Sequence, residues 1–132
     1  MSPSWSIIQS EEAPAAIGPY SQAVRAGDCV YISGQIPLRA DGTALVDGDI
    51  SIQAQQVFRH LSAIAGAAGG SLSDCVKINI SLLDIDDFSA VNAVMADFFS
   101  PPYPARACVQ AAALPRSAAI EVEAVLYLPA AS

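Results

Sequence analysis

The feature that most constrains this chain is a change of hydrophobic period at Gly69-Gly70. Before it, Val57, Leu61, Ile64 and Ala68 recur at i, i+4, i+7 and i+11 and line one face of an α-helix. After it, Val76, Ile78, Ile80 and Leu82 alternate with Lys77, Asn79 and Ser81, the pattern of a strand with one buried and one polar face. Asp49 and Ser51 are caps for the helix, and the glycine pair terminates it. A second helix follows Asp86-Asp87 with Phe88, Val91, Met95 and Phe98 on one stripe. It must end before Pro101-Pro102, because proline lacks the amide a helix needs.

The remaining segments read as strands and turns. After a short run from Trp5 to Ile8, the stretch 13–19 is a loop punctuated by two prolines. Residues 20–24 and 29–36 form a predicted hairpin about Gly27-Asp28, closed by Pro37, and Ala40-Asp41-Gly42-Thr43 is a turn. Two further strands, about 105–111 and 119–128, flank a turn near Pro115. The expected order is β-β-α-β-α-β-β with hairpins at both ends. This suits an α+β sandwich, a mostly antiparallel sheet with two helices on one face. Tyr31, Ser33, Asn79, Ser81, Glu121 and Glu123 are candidates for the other face, which a partner subunit would cover.

Composition narrows the class. The 132 residues fit one domain spanning 1–132, and an apolar fraction of 53% is more than so small a domain buries alone, so a homo-oligomer is expected. No run approaches the roughly 20 apolar residues of a membrane span, and the N-terminus has no basic start followed by an apolar stretch. Cys29, Cys75 and Cys108 are odd in number and far apart, which argues against a disulfide framework or a zinc site and suits a reducing cytosol. A net charge of −7 with six unclustered Lys and Arg residues argues against nucleic acid as a partner. A lone arginine can still attract a small anion.

No standard catalytic signature is present. His60, the one histidine, falls inside a helix, where it is expected on the surface or at an interface. Asp84, Asp86 and Asp87 read as helix-start caps rather than metal ligands. Arg106 stands out as a cation that opens an apolar strand, and its planar fork suits a bidentate carboxylate. Glu121 and Glu123 on the last strand are its nearest expected neighbours. Pattern alone leaves two readings open: a structural Arg–Glu pair across a hairpin, or a substrate clamp beside a carboxylate that acts on water.

Several motifs in order are familiar. Residues 13–23 (Ala13-Pro14-Ala15-Ala16-Ile17-Gly18-Pro19-Tyr20-Ser21-Gln22-Ala23), 32–37 (Ile32-Ser33-Gly34-Gln35-Ile36-Pro37), 104–109 (Pro104-Ala105-Arg106-Ala107-Cys108-Val109) and 120–124 (Ile120-Glu121-Val122-Glu123-Ala124) are the clearest of them. Together they resemble the Rid (YjgF-like) family of reactive intermediate deaminases from about Ala13 to Tyr127. The resemblance implies a chorismate-mutase-like fold assembled as a homotrimer with clefts between subunits. It implies hydrolysis of 2-imino acids and their enamine tautomers, such as 2-iminobutanoate and 2-iminopropanoate, to 2-oxoacids and ammonia, without metal or organic cofactor. By position, Arg106 would hold the substrate carboxylate, Glu121 would position or activate water, and Glu123 would support it. Cys108 would face the ligand through its backbone, and Tyr20, Ser33, Gly34 and Asn92 would line the cleft, some from a neighbouring subunit. The segment 99–104 is a few residues shorter than is usual in the family, which bears on substrate range; Met95 and His60 replace a commoner aromatic residue and asparagine. The alternatives are a specialised deaminase for another enamine, of aminoacrylate or aminomuconate type, and a non-catalytic trimer that binds small carboxylates or acts as a chaperone.

Overall fold

In the computed structural model, which describes residues 4–129, six strands form one sheet with two helices against one face. Residues 1–3, on which part of the reading of the N-terminus rests, lie outside the described residues. The elements are β1 (Trp5–Ile8), β2 (Ala23–Ala26), β3 (Cys29–Gln35), α1 (Ile50–Ala67), β4 (Cys75–Leu82), α2 (Phe88–Phe98), β5 (Ala105–Gln110) and β6 (Ile120–Tyr127). The α+β class and the two-helix layer agree with the sequence reading. None of the described helices is long and apolar enough to cross a membrane.

Both helices form where the periodicity places them. The Asp49 carboxylate accepts from the Ile52 amide at 3.1 Å, satisfying one of the free donors at the start of α1. Beyond the end of α1, Gly69 adopts φ +93°, a left-handed conformation that costs a residue without Cβ nothing. Val57, Leu61 and Ile64 are fully buried against Ile78, Ile80 and Leu82 of β4 and Ile120, Val122 and Leu126 of β6. Phe58 packs on Phe98 and, edge-on, on Phe99, with ring centroids 5.5 and 5.8 Å apart, joining α1 to the end of α2.

The strand order is β1-β2-β3-β6-β4-β5, and it corrects the expected topology in three ways. First, 105–111 and 119–128 do not form a hairpin. β5 runs parallel to β4, with Ile78 beside Arg106, while β6 inserts between β3 and β4. The physical reason is the helix between β4 and β5, a crossover that returns the chain in the same direction. β6 takes the centre because Ile120, Val122, Ala124 and Leu126 alternate along it and are all buried. Second, residues 5–8 are a strand, paired with β2. Third, β2 begins at Ala23, so Tyr20 lies in the loop before it.

That loop is ordered by one side chain. Gln22, 4% exposed, accepts from the Ser10 amide at 2.7 Å and donates to the Pro14 carbonyl at 2.7 Å, giving irregular backbone the partners a ladder would supply. His60 is a further correction: it is 2% exposed, not on a surface. Its Nε2 lies 2.6 Å from the Leu38 carbonyl, so the ring is a satisfied core group that ties α1 to the chain after β3, and burial lowers its pKa from the usual value.

Candidate functional site

The predicted site residues fall into two groups on opposite faces of the sheet. In register, Arg106 and Ala124 flank Ile78 from either side, and all three project toward the helices. Glu121 and Glu123, in register with Ser81 and Asn79, project from the uncovered face. β4 separates their strands, so the Arg–Glu pair across a hairpin does not exist in this chain. Side chains two strands apart on opposite faces of one sheet cannot meet on one small molecule.

The first group surrounds a cleft of about 720 Å³ that includes Tyr20, Ser33, Gly34, Glu121 and Glu123. Its floor is built by an irregularity. Ile32 pairs with Ala124 but Gln35 pairs with Val122, so β3 carries one residue more than β6 across Ser33-Gly34. Such a bulge bends a strand and re-aims its side chains, and bulges concentrate beside active sites. Here it brings the backbone of Gly34 against Glu121: a Cβ at position 34 would lie 2.9 Å from the Glu121 Cδ. Only glycine leaves that carboxyl its place. Ser33 is locked by its hydroxyl, which donates to the Ser21 carbonyl at 2.6 Å, and by its amide, which donates to the Gln22 carbonyl at 2.9 Å. Tyr20, 53% exposed, stands at the rim.

The electrostatics distinguish the two glutamates. Burial raises the Glu121 pKa above its ordinary 4.5, and the nearby Glu123 charge adds to the effect. Glu123 accepts at 3.0 Å from the Asn79 amide group, which holds it beside Glu121. If ionised Glu121 is the working form, the rate rises with pH along an acid limb displaced upward from 4.5. Glu123→Gln removes the like charge and is expected to move that limb to lower pH, short of a full return because burial remains. A pH–kcat/KM profile checks this, and an unmoved limb would show that Glu123 does not set the Glu121 charge. The linkage to stability has the same origin. A raised folded-state pKa means the Glu121 contribution is present at acid pH and lost as pH rises from the unfolded value through the folded one.

The second group lies at the β5 edge, in a hollow of about 410 Å³. The Arg106 guanidinium sits 4.9 Å from the Phe88 ring centroid and donates to Asn92 Oδ1 at 2.6 Å, with a weaker contact to Met95 Sδ at 3.7 Å. Phe88, Asn92 and Met95 recur at i, i+4 and i+7, so one face of α2 forms a cradle along the arginine. Asn92 therefore serves as the partner of Arg106 in this chain. The sequence reading put Phe88 and Met95 only on a core stripe, although their spacing from Asn92 was visible. Tyr103 and Pro104, from the short 99–104 segment, form part of the same hollow, and Tyr103 is 61% exposed.

Among the described residues Arg106 has no carboxylate partner, and the ion pair is Arg39–Asp47. Its fork is presented to solvent with donors to spare, as an anion clamp requires. Cys108, half-buried on the same strand, has its thiol pKa raised by burial despite the nearby Arg106 charge, which disfavours a thiolate nucleophile. The sequence reading missed Arg116, which lines the Glu121 cleft from the turn before β6. Its signal was position: a cation five residues before Glu121, on a loop too long for a tight hairpin.

Comparison with known proteins agrees with this geometry. The family described as endoribonuclease L-PSP matches residues 10–128. A protein of Dermatophagoides farinae named 2-iminobutanoate/2-iminopropanoate deaminase is 44% identical, over 92% of this chain and 95% of its own length. Other relatives of similar identity carry only the name RutC family protein. The crystal structure of RidA from the Antarctic bacterium Psychrobacter sp. PAMC 21119 superposes with a TM-score of 0.89 at 50% identity, covering 93% of this chain and 99% of that one. The structure of E. coli TdcF with bound serine does so with a TM-score of 0.87 at 39% identity, covering 92% and 98%. The continuous match in sequence and fold settles the lineage: the chain belongs to the Rid (YjgF-like) family.

Proposed function

We propose that this chain hydrolyses reactive 2-imino acids and their enamine tautomers, such as 2-iminobutanoate and 2-iminopropanoate, to 2-oxoacids and ammonia. The observation that carries the reading is the placement of Glu121: a partly desolvated carboxylate held against Gly34 at the floor of a cleft large enough for a small acid. Relatives named for this activity and a neighbour structure with bound serine support it.

The chemistry asks little of a catalyst, because imines are reactive toward water. The oxygen of water bonds to the C=N carbon as Glu121 accepts one proton. That proton passes to nitrogen to give the carbinolamine. Glu121 then takes the hydroxyl proton and returns it to the amine as the C=O bond forms and the C–N bond breaks, and ammonia leaves the 2-oxoacid. Arg106 anchors the substrate carboxylate. Since Arg106 and Glu121 lie on opposite faces of one sheet, each site takes them from two copies of the chain. The uncovered face, with Tyr31 and Tyr127 exposed at 48% and 52%, supplies apolar surface for that association. We take the assembly to be a homotrimer of single-domain subunits spanning 1–132, working in the cytoplasm.

The test couples the protein to a threonine dehydratase, with semicarbazide trapping the released imine. Faster 2-oxobutanoate formation in competition with trapping supports the reading, and an unchanged trapping yield overturns it. In the same assay Glu121→Gln is expected to lower kcat by about tenfold to a thousandfold while changing 2-oxobutanoate binding far less, because an amide can still hold water but cannot take its proton. Equal loss in both would make Glu121 a binding group only.

A further inference from the structure

The Glu121 cleft contains a cation that the deaminase reading does not use. Arg116 reaches it from the turn 115–117, where Arg116 and Ser117 both adopt positive φ, 56° and 60°. Two successive non-glycine residues in the left-handed region are strained, and such strain persists where surrounding contacts or function require it. The strain aims the side chain. Nη1 donates to the Gly42 carbonyl and Nη2 to the Thr43 carbonyl, each at 3.1 Å. Two neutral carbonyls fix the fork in place without cancelling its charge.

No carboxylate among the described residues neutralises it. Arg116 and both glutamates border the same cleft, yet no guanidinium nitrogen of Arg116 comes within the 4.0 Å of an ion pair with either. The cleft that both residues line, about 720 Å³, has room for a small acid. A fixed, unneutralised guanidinium with free N–H groups selects a planar anion. Ser33 and Gly34 add only a small polar wall, and Arg116 is the cation among the described residues that line the cleft.

We propose that Arg116 forms a second anion subsite and that the preferred substrates are 2-imino acids with a second carboxylate. This rests on the deaminase reading. Arg106 from one copy takes the carboxylate next to the imine, and Arg116 takes the distal one. Water still adds to the C=N carbon and ammonia still leaves, so the distal group changes recognition and not the reaction.

The test compares 2-iminosuccinate with 2-iminobutanoate, each generated by an amino-acid oxidase from the parent amino acid and followed against semicarbazide trapping. Calorimetric binding of the stable acids 2-oxoglutarate and 2-oxobutanoate supplies a second readout. The unaltered protein is expected to favour the dicarboxylic member of each pair. Arg116→Ala should lower kcat/KM for 2-iminosuccinate by about tenfold or more, the scale of a lost charge-assisted hydrogen bond, with a much smaller effect on 2-iminobutanoate. Arg116→Lys should restore part of that preference. Equal losses on both substrates in both variants would make Arg116 a strut for the 39–44 turn and overturn the subsite, as would an unaltered protein that binds 2-oxobutanoate at least as tightly as 2-oxoglutarate. If neither imine is hydrolysed but an Arg116-dependent preference for 2-oxoglutarate is measured, the deaminase reading falls and the subsite stands. Hydrolysis of both without that preference leaves the deaminase reading and removes the subsite.

Discussion

Arg106→Ala is expected to lower kcat/KM for 2-iminobutanoate by about a hundredfold to ten-thousandfold while leaving the fold intact. The range follows from losing two charge-assisted hydrogen bonds to one carboxylate, at about 1.5–3 kcal/mol each. The unaffected fold follows from where the side chain lies. Arg106 is exposed at a sheet edge, its contacts with Asn92 and Phe88 are on the surface, and such contacts contribute about 1 kcal/mol or less. Thermal unfolding of the variant should therefore shift by only a few degrees. Arg106→Lys keeps the charge but loses the fork and the stacking on Phe88, and should recover part of the rate. A wild-type rate in Arg106→Ala would remove the clamp, and a collapsed unfolding transition would make the residue structural.

That prediction draws on parts of the molecule that were legible in the sequence to different degrees. The helices were readable because each carries an apolar stripe with caps or prolines at its ends, and Asp49, Gly69 and the 101–102 pair act where expected. The alternation in 76–82 marked a half-buried strand, but alternation fixes a face and says nothing of neighbours. The expected hairpin of 105–111 with 119–128 fails for that reason, and β6 lies between β3 and β4. The crossover through α2 held the missing information, since a strand, a helix and a strand in succession favour a parallel pair. Gly34 could be named from its motif, yet the bulge that makes it indispensable appears only once β3 and β6 are in register. Burial of His60 depended on the Leu38 carbonyl, 22 residues away, which no local pattern reveals. Arg116 lacks the local signal that marks Arg106: it does not open an apolar strand, and its aim comes from the backbone geometry of the 115–117 turn.

The topology that overturned the hairpin also yields the sharpest test of the assembly. If each site combines Arg106 of one copy with Glu121 of another, two inactive variants should rescue each other. Arg106→Ala retains a working Glu121 face and Glu121→Gln retains a working Arg106 edge, so a mixed oligomer contains interfaces where both intact halves meet. In a cyclic assembly with random mixing, a site draws its arginine side from the right variant half the time and its glutamate side likewise. Over the whole mixture about one site in four is intact, but purification through both tags removes the pure oligomers. Each mixed trimer keeps one intact site of three, so about one third of wild-type activity is expected. Co-expressing the two variants at equal levels, each with a different tag, and assaying the doubly purified species measures it. The double variant Arg106→Ala, Glu121→Gln mixed with Arg106→Ala is the control, because neither chain supplies the arginine and no interface is intact. Recovery near about one third requires a site shared between copies, since a site within one chain would stay inactive in every combination. Absence of recovery in a verified mixed oligomer would mean that Arg106 and Glu121 serve different ligands, and Arg106 would then lose its role in the reaction on the Glu121 side of the sheet.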